Sequence, residues 1–135
     1  MRNFSPITSR VLFFNATVPL VGNNVDICLY QGTPATYNAG AIVSDADKAI
    51  MFGELKGGID PAGADEHWKT GNTALSRIRE SFSSYKIETS FVGAAIEKKM
   101  ATEIFRQLES GILSKAANLT YNEQLTNYCE WIVEL

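Results

Sequence analysis

The order of apolar and polar residues along the chain predicts alternating strands and helices. Four segments, residues 11–21, 24–31, 48–56 and 86–96, carry the apolar runs or the two-residue alternation of β-strands. Residues 65–85, 97–112 and 122–135 read as helices. The segments 32–41 and 57–64 are predicted loops, and 112–120 holds a short strand or a loop. We therefore predict an α/β fold with a mixed central β-sheet flanked by helices.

The first two predicted helices have recognisable apolar stripes. In the helix over 65–85 the stripe is formed by residues four apart, Ala74, Ile78 and Phe82, and Asp65 is a plausible cap or first-turn acid. In the helix over 97–112 the corresponding stripe contains Met100, Ile104 and Leu108. Both stripes are expected to pack against the sheet.

Two predicted strands carry charges among apolar residues. Alternation along residues 24–31 puts Asp26 on one face and its apolar neighbours Val25 and Ile27 on the other. Residues 48–56 are apolar on both faces until Glu54, which indicates a central strand covered on both sides. Because strand residues two apart point the same way, Glu54 and Lys56 are expected to project together.

These charges suggest a metal site. An isolated charge at Asp26 would be costly to bury, and a cation shared with Glu54 would offset that cost if the two strands are neighbours. The carbonyl of Leu55 could add an oxygen ligand, which suits Mg²⁺. The alternative is that Asp26 is a solvent-facing strand charge and that the Glu-x-Lys triplet, common by chance, has no catalytic role.

The only histidine, His67, lies near the start of the helix over 65–85. Its helical position is close to the apolar stripe, and imidazole titrates near neutral pH, so His67 could act as a general base in the same cleft. A packed core or capping histidine is the competing interpretation. Trp68 beside it is expected to be a core residue.

Composition sets wider limits. A chain of 135 residues with 45% apolar and 20% charged residues fits one soluble globular domain. We find neither a candidate membrane span nor a signal peptide, and two distant cysteines fit buried thiols in a cytoplasmic protein. The net charge of −3 argues mildly against nucleic acid, although total charge hides local patches.

The segment FGELKGGIDPAGADEHWKTGNTALSRIR (52–79) resembles the AvaI/BsoBI family of type II restriction endonucleases, within the PD-(D/E)xK nuclease class. The resemblance implies a restriction-endonuclease-like core that cleaves double-stranded DNA with Mg²⁺. It makes Asp26, Glu54 and Lys56 the catalytic triplet and puts His67 at the family's active-site histidine. The metal ligands would be Asp26, Glu54 and the Leu55 carbonyl.

The resemblance also suggests DNA contacts. Asp60 matches a loop carboxylate that accepts from a cytosine amino group, and the alternative is that it only initiates a turn. Lys69 and Arg77 are candidate phosphate contacts, as opposed to ordinary solvated helix charges. Family targets are degenerate six-base-pair palindromes of the CYCGRG type, and a palindrome implies a homodimer.

Family enzymes are longer and carry a helical region before the catalytic core. We therefore expect residues 1–135 to be a single catalytic-core domain that lacks this region. The expected function is site-specific DNA hydrolysis. Two alternatives stay open: a remnant that folds or dimerises without cleaving DNA, and a repair or recombination nuclease on the same core.

Overall fold

A five-stranded mixed sheet forms the centre of the fold. The structure, a computed structural model, describes residues 9–32 and 38–135. Its strands are β1 (Arg10–Val18), β2 (Asn23–Gln31), β3 (Ala49–Lys56), β4 (Glu88–Gly93) and β5 (Lys115–Asn118), in the spatial order β1-β2-β3-β4-β5. Strands β1, β2 and β3 pair antiparallel, whereas β3, β4 and β5 pair parallel. The predicted mixed α/β fold is confirmed, and β3 is the central strand.

Helices cover both faces of the sheet. They are α1 (Ala39–Val43), α2 (Pro61–Ser81), α3 (Lys98–Ser110) and α4 (Asn122–Glu134), and a short 3-10 helix spans Ala46–Lys48. One apolar cluster, which includes the buried residues Phe52 and Trp68, joins the sheet to α1, α2 and α3. A second cluster joins the other face to α4 through Met51 and Tyr128. Alternate residues of β3 therefore enter different layers, as its apolar pattern on both faces predicted.

The start of α2 differs from the sequence-based prediction. The helix begins at Pro61 rather than at residue 65, so the end of the predicted loop over 57–64 is its first turn, and Asp65 is not the cap. Asp60 is the N-cap, since its carboxylate accepts from the Ala62 amide at 3.0 Å. A proline at the first helical position after an Asp cap is a strong helix start, because its missing N–H would have no partner there.

Other differences are smaller. The buried stripe of α2 contains Leu75, Ile78 and Phe82, and Ala74 is only partly buried. The predicted loop over 32–41 overlaps α1, and its residues 33–37 lie outside the described part of the chain. Of the two alternatives for residues 112–120, a short strand or a loop, the structure has the strand, β5.

The two cysteines differ in environment. Cys28 is buried, as expected, and burial raises the pKa of its thiol to about 12. Cys129 is exposed on α4, contrary to the expectation of two buried thiols. Trp68 is a core residue, as predicted, with its ring edge-on to Phe91 at 4.9 Å. Within the described residues, no helix has the length and apolar character needed to cross a bilayer.

Candidate active site

Asp26 and Glu54 meet where β2 and β3 separate. The two strands pair as far as Ile27 with Gly53, which puts Asp26 opposite Glu54 at the next position. The Asp26 carboxylate accepts a hydrogen bond from the Leu55 amide at 2.8 Å, and the Asp26 amide approaches Glu54 Oε2 at 3.5 Å. Two acids that are 28 residues apart in the sequence therefore share one end of the sheet.

Glu54 is a buried carboxyl group. Only 6% of the residue is exposed, and Asp26 lies beside it. Burial raises the pKa of Glu54 to about 7, and the negative charge of Asp26 adds to the rise, whereas the Asp26 amide and the charge of Lys56 oppose it. The site therefore strongly favours any positive charge that can come close to both carboxylates.

Lys56 lies along α2, on the same side of the sheet as Glu54. Its Cε atom would be 3.6 Å from a Cβ atom added at Gly71, and the same Cβ atom would be 2.9 Å from Phe91 Cε1. Glycine at position 71 thus makes room for both Phe91 and the lysine stem. This role was missed in the sequence, although a glycine inside a helix is destabilising relative to alanine and often has a packing reason.

His67 packs beneath the loop that follows β3. A Cβ atom at Gly58 would lie 2.6 Å from His67 Cε1, so the loop backbone can rest on the ring only because residue 58 is glycine. The Nδ1 atom is buried and has no hydrogen-bond partner among the described residues. Gly71 follows His67 by one helical turn, so the His67 imidazole and the stem of Lys56 lie along the same side of α2.

The chemistry of these residues fits a hard divalent cation. Asp26 and Glu54 provide carboxylate oxygens, and a cation would compensate the charge that burial makes costly at Glu54. Among the residues that the structure describes, no group of three or more His, Cys, Asp or Glu side chains could hold a metal. Two carboxylates nonetheless suit Mg²⁺, which keeps several water ligands, and suit Zn²⁺ much less well.

Strand geometry gives an expected direction for the Leu55 carbonyl. In a strand, the N–H and C=O of one residue point to the same neighbour, and the Leu55 amide points to Asp26. The next carbonyl along, that of Lys56, points the other way and accepts from the Ala94 amide at 2.9 Å.

The three candidate DNA-contact residues lie on or before α2. The Asp60 carboxylate caps the helix, as described above, and is also exposed. Lys69 forms an ion pair with Asp65 at 3.1 Å, which raises the pKa of Lys69. Lys69 and Arg77 line one shallow groove on the exposed side of the helix. Around the helix axis Lys69 is about 160° from His67, so the two do not face the same cleft.

Arg79 has a structural role. Its guanidinium donates to the Ile112 carbonyl at 3.0 Å and to the Thr89 hydroxyl at 3.3 Å, and burial lowers its pKa. It ties the end of α2 to the segment before β5.

Known proteins resemble this chain over nearly all of its length. It is 54% identical over 128 residues to the type II restriction enzyme BsoBI of Geobacillus stearothermophilus, which covers 93% of the chain and 40% of that enzyme. It is 50% identical over 129 residues to the type II restriction enzyme AvaI of a Nostoc strain, covering 94% of the chain and 41% of the enzyme. The chain thus spans about two fifths of these relatives. The sequence pattern of the family described as restriction endonuclease BsobI matches residues 4–135, and the chain belongs to this family.

Proposed function

We propose that this chain hydrolyses phosphodiester bonds of double-stranded DNA at a specific site, with Mg²⁺ as cofactor. The observation that carries the proposal is the meeting of Asp26 and Glu54 at one end of the sheet, with the Lys56 stem nearby against Gly71 of α2. Similarity to two type II restriction enzymes supports the choice of DNA as the substrate.

Each residue of the site has a role in this proposal. Asp26, Glu54 and the Leu55 carbonyl would hold Mg²⁺, which would supply stabilisation of negative charge on the phosphate and a lower pKa for a water ligand. The Lys56 ammonium neutralises a phosphate oxygen and orients the attacking water. His67 takes the proton from that water at Nε2, because its Nδ1 is buried beneath the loop.

The finer specificity is also part of the proposal. Asp60 accepts from a cytosine amino group in the major groove, and Lys69 and Arg77 contact phosphates. The target is a degenerate palindrome of the CYCGRG type. Two copies of the chain bind it as a homodimer, because each strand of a palindrome presents the same bond to its own active site.

A plasmid assay tests the activity. Supercoiled DNA with one CYCGRG site is incubated with Mg²⁺ and with wild-type protein, Glu54→Gln, or the matched control Glu130→Gln on exposed α4. We expect wild type and control to nick or linearise the plasmid, and Glu54→Gln to lose at least about a hundredfold in rate, as for loss of a major transition-state interaction. A plasmid without the site tests specificity.

The alternative is a non-catalytic domain that folds or dimerises without cleaving DNA. The net charge of −3 favours it. Equal rates for wild type and Glu54→Gln would refute the proposed active site, and cleavage that persists in EDTA would refute the proposed dependence on Mg²⁺. A folded wild type that binds duplex in a gel-shift assay but never cuts it would establish the alternative.

A further inference from the structure

Asn15, in the middle of β1, has an unusual backbone. Its φ is +54°, in the left-handed region, and among the described residues it is the only one other than glycine with a positive φ. Strand residues normally have strongly negative φ, and asparagine is one of the few residues that tolerate the left-handed region. Such conformations persist only where the surrounding structure holds them, and they cluster at functional sites.

Asn15 lies directly across from Asp26. The pairs on either side are Phe14 with Ile27 and Ala16 with Val25, so the register of β1 and β2 puts Asn15 opposite Asp26. The left-handed residue and the candidate metal ligand are therefore neighbours on adjacent strands.

Both strands change which side faces the helical core at this point. Along each strand, every second residue enters the cluster formed with α1, α2 and α3. At this point the spacing between successive cluster residues is three positions instead of two. In β1 these members are Val11 and Phe13, then Ala16 and Val18; in β2 they are Tyr30 and Cys28, then Val25. A left-handed residue can produce such a switch, because it rotates the chain out of the regular pleat.

The switch coincides with the departure of β2 from β3. Continued pairing beyond Ile27 and Gly53 would set Val25 opposite Leu55. Instead, the Leu55 amide donates to the Asp26 carboxylate at 2.8 Å. The carboxylate therefore takes the position that a strand carbonyl would otherwise occupy, which is possible only where the two backbones diverge.

Side chains across the hairpin hold Asn15 in place. The Thr17 hydroxyl donates to Asn24 Oδ1 at 2.5 Å, and Asn24 Nδ2 donates to Asn15 Oδ1 at 3.3 Å. This Asn15–Thr17–Asn24 network gives the left-handed conformation a local support that a regular strand residue would lack.

We propose that Asn15 is a positioning residue for Asp26: its left-handed backbone bends the β1–β2 hairpin away from β3, so that the Asp26 carboxylate reaches the Leu55 amide beside Glu54. The importance of this for catalysis rests on the proposed nuclease function. The geometric effect itself does not, and it can be measured without metal or DNA.

Hydrogen exchange of the Leu55 amide, followed by NMR in EDTA, reports directly on this contact. We expect Asn15→Val, whose β-branched side chain disfavours positive φ, to speed exchange at Leu55 roughly tenfold, the loss expected for one charge-assisted hydrogen bond. Asn15→Gly keeps the left-handed backbone and should exchange within about twofold of wild type. Leu12→Val, which introduces a β-branched residue elsewhere on β1, is the matched control.

Two further variants guard the test against unfolding. If Asn15→Val does not fold, Asn15→Ala and Asn24→Ala are used instead; the second removes the support of Asn15 without changing residue 15. Mg²⁺ affinity, measured by calorimetry, is a second readout. In the variants that lose protection of the Leu55 amide, we expect this affinity to fall about tenfold. An unchanged exchange rate of the Leu55 amide in Asn15→Val or Asn15→Ala would overturn the proposal. So would an equal loss of Leu55 protection in Asn15→Gly. If the wild-type protein keeps the contact between the Leu55 amide and Asp26 but does not cleave DNA, only the proposed nuclease function is refuted.

Discussion

At the scale of single residues, Glu54 is the electrostatic centre of the site. It is buried in the central strand beside a second carboxylate, and both effects raise its pKa, to about 7. A protein without a functional use for this acid would gain stability from a neutral residue of the same shape. The burial of Glu54 is thus a cost that a bound cation would offset.

This cost predicts a pH dependence of stability in the metal-free protein. The folded state binds the Glu54 proton more tightly than the unfolded chain, so the free energy of unfolding should fall as pH rises from about 4.5 to about 7. Glu54→Gln removes this loss. In EDTA at pH 8 we expect the variant to be more stable than wild type by on the order of 3 kcal/mol, and to differ little at pH 4.

Urea unfolding at several pH values measures this difference, and Glu130→Gln on the surface of α4 is the control. If the free energy of unfolding changes with pH in the same way in wild type and Glu54→Gln, burial does not raise the pKa of Glu54. Added Mg²⁺ should stabilise wild type at pH 8 and leave Glu54→Gln nearly unchanged, since ligand binding stabilises only the state that binds.

At the scale of elements, the start of α2 combines a structural and a proposed functional role. Asp60 caps the helix through the Ala62 amide, and the helix in turn carries His67 against Gly58 and Gly71 against the Lys56 stem. The cap therefore fixes one wall of the site. The DNA contact proposed for Asp60 would use the same carboxylate, which has a second oxygen.

Two substitutions separate these roles. Asp60→Asn retains a good cap and should leave stability nearly unchanged, whereas Asp60→Ala should cost about 1 kcal/mol in urea unfolding. If the carboxylate also accepts from a cytosine amino group, Asp60→Asn should weaken binding to the specific duplex by roughly tenfold or more. Duplex affinity equal to wild type in Asp60→Asn would reduce Asp60 to its capping role.

At the scale of the whole molecule, the sheet separates the site from α4. The candidate site lies at the end of β3 on the side of α2, and α4 packs on the opposite side. Tyr128 anchors α4, because its hydroxyl lies 2.8 Å from the Ser90 hydroxyl in the buried centre of the sheet. Gly53 leaves room for this pair, since a Cβ atom there would lie 2.5 Å from Ser90 Oγ.

Removing this hydroxyl should weaken the fold without altering the site chemistry. Tyr128→Phe leaves the Ser90 hydroxyl without this buried partner and should lower the free energy of unfolding by about 1 kcal/mol. A double-mutant cycle with Ser90→Ala should give a coupling of similar size. Mg²⁺ affinity is expected to stay at the wild-type value, and a large drop in it would show that α4 packing and the site are coupled.

Much of the fold was predictable because strands and helices have local periodicities. The positions of β2, β3 and α3 follow directly from the spacing of their apolar residues, and the placement of Glu54 and Lys56 on one face follows from strand geometry. The early start of α2 was missed, although Asp60 and Pro61 carry a recognisable start signal. That signal was outweighed by the glycines around it, which equally suit a loop.

The sequence by itself determined what is local: the periodicity of the elements, the chemistry of the side chains and the Glu54-x-Lys56 geometry, all of which depend on covalent structure and near neighbours. Only the tertiary structure decided that Asp26 reaches the Leu55 amide, that Glu54 is buried beside it and that Asn15 adopts a left-handed backbone opposite Asp26. These features depend on which strands pair and where they separate. Pairing and burial are set by contacts between distant segments, and no short stretch of sequence contains them.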